Sequence, residues 1–244
     1  MPNLLIRKLE GFVDLTDEDR QLLDEVTRES RMVPARTDLI REGEKPDVVH
    51  LILEGFACRY NITAAGRRQI MAYLVPGDFC DLHVFVLREM DHTIATLSPC
   101  RVVRIPREHV LRMQERPALA RALWFATLAD LAVTREWLVN MGQRQAEQRV
   151  AHLLSELRLR LRVVGLADGG AFELPITQSE LADTLGLSTV HMNRVLQQLR
   201  HSKLITLKSG QLVILDGERL DQFSGFNPNY LHLTEQNGDK EPTV

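Results

Sequence analysis

The chain has 244 residues, 44% hydrophobic and 26% charged, with 30 Lys and Arg against 33 Asp and Glu. This is an ordinary globular mixture, long enough for two domains of usual size. No segment approaches the roughly 18 apolar residues of a membrane span, and the start has no apolar leader stretch, so we expect a cytoplasmic protein with no membrane contact. Cys58, Cys80 and Cys100 form no CxxC pair, which indicates neither a disulfide framework nor a zinc finger.

Regularly spaced glycines divide the first half of the chain. Gly43, Gly55, Gly66 and Gly77 lie 12, 11 and 11 residues apart, with short apolar runs between them. This spacing predicts a small antiparallel barrel or jelly roll over residues 1–116, and it does not identify a ligand.

A long helix is predicted next, opened by Pro117 at its first turn. Its apolar residues recur at steps of three and four: Leu119, Ala122, Leu123, Ala126, Ala129, Val133 and Trp137. We expect this stripe to pack against a second copy of the chain, which makes 117–142 the dimerisation helix and hinge. The alternative is a helix packed only on its own domain. Further apolar residues around the helix, among them Trp124, Phe125, Leu128 and Leu131, favour contacts on two sides.

A break near Gly142 is followed by a second helical pattern over 143–164, with a hinge expected at 140–144. The glycine-rich stretch 165–170 predicts a flexible turn into a domain that we place at 143–224.

Two short amphipathic helices around a glycine are predicted within 176–199. Thr177 and Glu180 form a capping-box pattern that starts the first helix. Gly186 stands where the chain turns, and Ser188 is a natural cap for the second helix. This is the layout of a helix-turn-helix.

The second of these helices has one apolar and one polar face. Met192, Val195, Leu196 and Leu199 fall on one stripe. The opposite face carries Thr189, Val190, Asn193, Arg194 and Gln197. Arg, Asn and Gln are the side chains that read donor and acceptor patterns in the major groove, and Arg194 is the strongest candidate for a base contact. The alternative is an ordinary helical hairpin with a solvated polar face.

The segments downstream favour the DNA-reading interpretation. Runs 204–207 and 212–215, joined by residues that include Lys208 and Gly210, predict a β-hairpin, which would complete a winged helix. Residues 184–215 contain no Asp or Glu, yet they include Arg194, Arg200 and Lys203. Such a local basic strip attracts phosphates within roughly 10 Å at 0.1 M salt. Residues 225–244 predict a polar tail that is poorly ordered beyond Tyr230.

The chain resembles the Crp/Fnr superfamily of bacterial transcription regulators over most of its length. The residues that carry the resemblance are Ile176, Thr177, Glu180, Leu181, Gly186, Ser188 and Arg194. The resemblance implies an α+β fold: an amino-terminal antiparallel β-roll like a cyclic nucleotide-binding domain, a long central dimerisation helix and a carboxy-terminal winged helix-turn-helix. It also implies a homodimer that regulates transcription on palindromic double-stranded DNA, and contact with RNA polymerase.

The resemblance assigns roles to individual residues of the helix-turn-helix. It implies that Thr189, Val190 and Arg194 approach base edges, and that Thr177, Gln178, Ser188 and His191 lie near phosphates. With the polar face and hairpin, the DNA-binding candidates are Thr177, Gln178, Ser188, Thr189, Val190, His191, Asn193, Arg194, Gln197 and Lys208. Many members have a glutamate where Val190 stands, and Val190 can at most touch a thymine methyl. The sequence therefore leaves the half-site open, and the family's usual one is not assumed.

The effector of the roll is not identified by the sequence. Family members that bind a cyclic nucleotide have a Gly-Glu-Leu triplet and a later Arg followed by Ser or Thr. Here Asp81 and Asp91 stand in the corresponding stretches, where a carboxylate would repel a phosphate. Arg88 has no spacing that supports a replacement role.

Metal cofactors have little support, and we expect none. No cysteine precedes Cys58, which argues against the iron-sulfur cluster of some members. Haem held by Cys80, His83 and Pro2 is a weak alternative, because the family's haem sensor has a different Cys-to-His spacing. A DNA-binding regulator that needs no small ligand is a further alternative. The chain shows no GxSxG, HExxH or phosphate-binding glycine loop, so an enzyme is not expected.

Overall fold

The computed structural model describes residues 3–82 and 88–233. Its amino-terminal part has two short helices followed by seven strands. These are α1 (Leu4–Leu9), α2 (Asp17–Val26), β1 (Ser30–Val33), β2 (Asp38–Ile40), β3 (Val48–Glu54), β4 (Ala57–Ile62), β5 (Arg68–Leu74), β6 (Thr93–Thr96) and β7 (Cys100–Pro106). The strands form two antiparallel sheets, ordered β2-β6-β4-β5 and β1-β7-β3. The predicted antiparallel roll is confirmed.

The four regularly spaced glycines all lie at turns with positive φ. Gly55 shows most clearly why, since a Cβ there would lie 2.3 Å from the Pro99 carbonyl oxygen. No other residue fits that close approach, so the glycine spacing reported the strand connections correctly.

Two helices follow the roll, α3 (Arg107–Gln114) and α4 (Pro117–Gln143), with Pro117 in the first turn as predicted. The predicted partner-facing stripe is wrong in part. Leu119, Ala122 and Leu123 are buried in the core of the roll. Val133 and Trp137 are buried in a second core that joins roll residues such as Tyr73 to the carboxy-terminal domain. They therefore contact their own chain and are not available to a second copy.

A different side of α4 is exposed. Trp124, Leu128, Leu131 and Leu138 lie four, three and seven residues apart, and between 50% and 70% of each is accessible. This spacing places them on one exposed face of the helix. Apolar residues thus lie on two sides of α4, one buried in its own chain and one exposed, and the expected contact with a second copy stays a prediction.

Helix α4 continues through Gly142, and the break before the next helix lies at Arg144 and Gln145. Gly142 takes a helical conformation, and Gln145 starts the next helix because its side chain forms a capping box with Gln148.

The carboxy-terminal part combines helices with a small sheet. Its elements are α5 (Ala146–Val163), β8 (Ala171–Glu173), α6 (Gln178–Leu185), α7 (Thr189–His201), β9 (Ile205–Lys208), β10 (Gln211–Ile214), α8 (Gly217–Ser224) and a 3-10 turn at Pro228–Leu231. The sheet is antiparallel with the order β8-β10-β9. Among the described residues no helix is long and apolar enough to cross a membrane.

A buried ionic chain joins the two parts. Arg160 of α5 donates to Asp78 of the roll at 2.6 Å and to the Tyr73 carbonyl oxygen at 2.8 Å. Lys8 of α1 forms an ion pair with the same Asp78. Burial alone would raise the pKa of Asp78, but the charges of Lys8 and Arg160 hold it below its ordinary value. The amino-terminal helix, the roll and α5 therefore meet at one carboxylate.

The segment after α8 folds back over the junction of α4 and α5. Glu156 of α5, fully buried, accepts hydrogen bonds from Trp137 of α4 at 3.0 Å and from the Tyr230 hydroxyl at 2.8 Å. Arg160 donates to its other oxygen at 3.1 Å. Leu231 is also buried, so ordered packing extends past Tyr230, while the predicted disorder of 234–244 lies outside the described residues.

Candidate nucleic-acid interface

The helix-turn-helix forms as its local signals predict. The Thr177 hydroxyl accepts from the Glu180 amide at 3.2 Å, and the Glu180 carboxylate accepts from the Thr177 amide at 2.7 Å, which completes the capping box. Gly186 ends α6 in the left-handed region with φ 63°, and Ser188 caps α7 by accepting from the His191 amide at 3.2 Å. The angle between α6 and α7 is thus fixed by short-range contacts.

Helix α7 presents its polar face to solvent. The residues of that face, Thr189, Val190, Asn193, Arg194 and Gln197, are all exposed, and Val190 is 74% accessible. The predicted inner stripe of Met192, Val195, Leu196 and Leu199 is buried. Among the phosphate candidates, Thr177 and Ser188 are exposed, and Gln178 and His191 are half-buried.

One contact of this face could not be read from the sequence. The Asn193 side-chain amide donates to Gln178 at 2.9 Å, which links α7 to α6 on the exposed side. The two residues are 15 positions apart, and nothing in a one-dimensional pattern pairs them. Part of the hydrogen-bonding capacity of Asn193 is therefore already used. Arg194 and Gln197 are the better candidates for hydrogen bonds to bases.

The wing is a tighter hairpin than predicted. Strand β9 extends to Lys208 and β10 begins at Gln211, so the turn has only two residues, Ser209 and Gly210. Both have positive φ, 51° and 79°, as a type I′ turn requires. Lys208 and Gln211 are therefore a cross-strand pair at the tip and not loop residues.

Charge on this surface is uncompensated in the described part of the chain. Arg194 and Lys208 are exposed, and neither has an acidic partner within salt-bridge distance there. Arg200 instead donates to the Leu207 carbonyl oxygen at 3.2 Å, which ties α7 to the wing. The surface offers free cations beside an exposed polar helix, which suits a phosphate backbone with bases between.

The sensor side has a cavity between the roll and α4. Its cationic side chains, Lys8, Arg59 and Arg160, are each paired with a carboxylate. Arg59 donates twice to Asp130 of α4, at 2.8 and 2.7 Å, and lies 3.4 Å from Asp81. Burial opposes the charge of Arg59, and these carboxylates nevertheless raise its pKa.

Arg59 was not predicted from the sequence as a residue of this cavity, and Asp81 was expected only to repel a phosphate. In the structure Asp81 lies beside Arg59 and also accepts a hydrogen bond from His92 at 3.0 Å. The missed signal was an arginine in a strand whose neighbours Ala57 and Cys58 are buried.

The weak haem hypothesis is not supported by Cys80. Its side chain is buried, and burial raises the pKa of the thiol well above its ordinary value, which disfavours the thiolate that binds iron. His83 and Pro2 lie outside the described residues. Within those residues no group of three or more His, Cys, Asp or Glu side chains could hold a metal ion.

Comparison with known proteins identifies both parts. Residues 148–223 match the Crp-like helix-turn-helix domain, and residues 30–116 match the cyclic nucleotide-binding domain. The chain is 31% identical over 200 residues to the transcriptional activator protein FnrL of Cereibacter sphaeroides, covering 80% of each chain. It is 30% identical over 220 residues to the transcriptional activatory protein AadR of Rhodopseudomonas palustris, covering 88% of this chain and 89% of that one.

A solved structure supports the same fold. FixK2 from Bradyrhizobium japonicum superposes with a TM-score of 0.70 at 24% identity, over 80% of this chain and 96% of that one. The paired domain matches, the exposed reading helix and these relatives lead to one conclusion: the chain belongs to the Crp/Fnr superfamily and is a DNA-binding transcription regulator of that type.

Proposed function

We propose that the protein acts as a homodimer on an imperfect palindrome, with a recognition helix α7 of each copy in successive major grooves. Half-site centres would then lie about one helical turn, roughly 34 Å, apart. The observation that carries this proposal is the exposed face of α7, which combines Arg194 and Gln197 with a free cation at the wing tip, Lys208.

The exposed stripe of α4 supports the homodimer. Trp124, Leu128, Leu131 and Leu138 leave an apolar stripe uncovered on one side of a helix of 27 residues. A helix face of this kind is normally covered by a partner helix. A second copy places two reading helices symmetrically about this stripe, as a palindrome requires.

The proposed division of labour follows the chain. Residues 1–116 form the sensor, 117–142 the dimerisation helix and hinge, 143–224 the DNA-binding domain and 225–244 a tail. We assign the phosphate contacts to Thr177, Gln178, Ser188, His191 and Lys208, and the base-facing positions to Thr189, Val190, Asn193, Arg194 and Gln197. RNA polymerase is the proposed protein partner. We assign no enzymatic activity to the chain, and we place its action in the cytoplasm, where bacterial DNA lies.

Control without a small ligand is the second candidate, and the paired charges of the sensor cavity favour it. A cyclic phosphate needs an available cation, and Arg59 is held by Asp81 and Asp130. This arrangement favours a sensor that works through protein contacts or abundance.

The test is enrichment of DNA from a random pool by the purified full chain without additives. A palindrome with half-sites one helical turn apart is the expected result. If nothing is enriched, repeating the selection with a cyclic nucleotide separates a ligand requirement from a failure of the proposed function. A non-palindromic product, or none under either condition, would contradict the proposal.

Arg194→Ala should lower affinity for the enriched site by about 1 to 3 kcal/mol, roughly 5- to 150-fold, and relax base preference at one position per half-site. The reason is that a bidentate arginine contact to a guanine edge discriminates between bases. Competition binding with single-base variants of the site measures both effects.

Lys208→Ala is the matched control, because it removes one exposed cation from the same surface. It should weaken binding to all sequences alike and reduce the slope of log affinity against log salt by about one. Equal loss on random and selected DNA for Arg194→Ala would show that Arg194 only attracts phosphate.

A further inference from the structure

We propose that strand β5 of the roll helps to orient the helix-turn-helix for DNA binding. In this inference, Arg68 and Gln69 of β5 are positioning residues that hold α6 and thereby set the distance and angle between the two recognition helices of the dimer. The inference rests on the proposed function, because a fixed separation has a meaning only for a dimer on a palindrome.

The contact between β5 and α6 is polar and directional. The Arg68 guanidinium contacts one Asp183 carboxylate oxygen through Nε and Nη2, both at 2.9 Å. The Gln69 side-chain amide donates to the Thr184 carbonyl oxygen at 3.0 Å. Below these, the buried Tyr73 hydroxyl bonds to the Thr184 hydroxyl. Three side chains of β5 thus contact two adjacent residues of α6, Asp183 and Thr184.

Helix α6 transmits its position to α7. Leu181 and Leu185 of α6 share one buried core with Met192 and Leu196 of α7, and the Gln178–Asn193 hydrogen bond closes the exposed side. Two helices joined in this way move as one unit, since packed cores are not continuously deformable. A rotation of α6 on the roll is therefore a rotation of the recognition helix.

The docked arrangement leaves the reading surface free. Docking uses Asp183 and Thr184 of α6, whereas the proposed base-facing residues of α7 are exposed. The roll and a DNA duplex can therefore contact the helix-turn-helix at the same time.

The second attachment of the DNA-binding domain explains why β5 matters. On the α5 side, Arg160 binds Asp78 of the roll. The β5 contacts restrict rotation of the domain about the Asp78–Arg160 attachment. Loss of the Arg68–Asp183 contact would leave the domain folded and still attached through Arg160, Gln69 and Tyr73, but with a less defined angle.

Loss of the Arg68–Asp183 ion pair should change the free energy of unfolding little, because 33% and 30% of the two side chains are accessible. Ion pairs of this kind contribute about 0 to 1 kcal/mol to folding. The expected effect is on operator geometry: one added base pair moves a half-site by about 3.4 Å and turns it by roughly 34°.

The experiment measures affinity of the full chain for the enriched palindrome and for versions whose spacer is shorter or longer by one or two base pairs. The wild type should prefer one spacer. Arg68→Asp and Asp183→Arg should each reduce that preference by about tenfold, and the double charge swap should restore it. The ratio between spacers cancels any general gain or loss of attraction to phosphate.

Arg67→Asp is the matched control, because Arg67 is the exposed neighbour and has no acidic partner among the described residues. It changes charge identically and should keep the wild-type spacer preference. Gln69→Ala removes the donor to Thr184, together with a hydrogen bond to the neighbouring Ile70 carbonyl oxygen, and should loosen the preference without altering charge. This variant serves if a charge variant does not fold.

The outcomes distinguish the positioning role of β5 from the proposed function. A wild type with no spacer preference would overturn the palindrome-reading dimer itself. A wild type with a clear preference that Arg68→Asp and Gln69→Ala both retain would overturn the positioning role of β5 and leave the proposed function intact. Loss in the single variants with no recovery in the double swap would also overturn it.

Discussion

Arg160→Leu should lower the free energy of unfolding by about 3 to 5 kcal/mol, which is the range for removing one partner of a buried ion pair. Arg160 is the sole cation in contact with Glu156 among the described residues, and it shares Asp78 with Lys8. Burial already raises the pKa of Glu156, and the charge of Arg160 opposes that rise. Without the arginine, a fully buried carboxyl group loses its counter-charge.

Urea unfolding of the full chain measures the change, and Arg158→Leu is the control. Arg158 lies two positions earlier on α5 and pairs with Asp221 at 2.7 Å, with 20% and 28% of the two side chains accessible. Its loss should cost about 1 kcal/mol or less. Similar costs for the two variants would mean that the Asp78–Arg160–Glu156 chain does not brace the domains.

Local signals made the DNA reader predictable. Three signals predicted it: the capping box at Thr177, the glycine at 186 and the period of the α7 stripe. Each of these signals relates residues no more than four positions apart, and the structure confirms all three. Glycine spacing likewise predicted the roll, since each glycine marks a turn of the backbone and needs no knowledge of distant neighbours.

Contacts between distant segments were not predictable. Lys8, Asp78 and Arg160 are separated by 70 and 82 positions, and Arg68 and Asp183 by 115. A charged residue in a sequence gives no sign of which charge it will meet. The same holds for Tyr230, whose polar surroundings in the sequence suggested a loose tail although its hydroxyl is bound to a buried glutamate.

The prediction of which side of α4 is exposed was wrong for a different reason. A helix with apolar residues around most of its circumference has a weak periodic signal, so the pattern cannot say which side meets the roll. Only the position of the roll's core, which takes up Leu119 and Leu123, leaves Trp124, Leu128 and Leu131 outside. The dimer proposal therefore rests on the second group of apolar residues, to which the structure adds Leu138.

Leu131→Glu should therefore convert the proposed dimer to a monomer. Leu131 is 50% accessible in one chain and lies at the centre of the exposed stripe between Leu128 and Leu138. At a twofold seam the substitution would bring two carboxylates together in a desolvated contact, where like charges are unfavourable. Sedimentation gives the mass. Because each half-site would then be bound independently, affinity for the palindrome should fall by about 10² to 10⁴.

Met32→Glu is the matched control, since Met32 of β1 is 55% accessible and undergoes the same change from apolar to acidic. It should leave both the mass and the palindrome affinity unchanged. If Leu131→Glu stays dimeric with full affinity, the dimer seam lies elsewhere. If Leu131→Glu is monomeric yet keeps full affinity, the two half-sites are not read by one dimer, and the exposed apolar face of α4 has another role. If α4 joins two intact DNA-binding domains, Leu131→Glu should have the mass of a monomer and a lower affinity for the palindrome, and it should keep its base preference within each half-site.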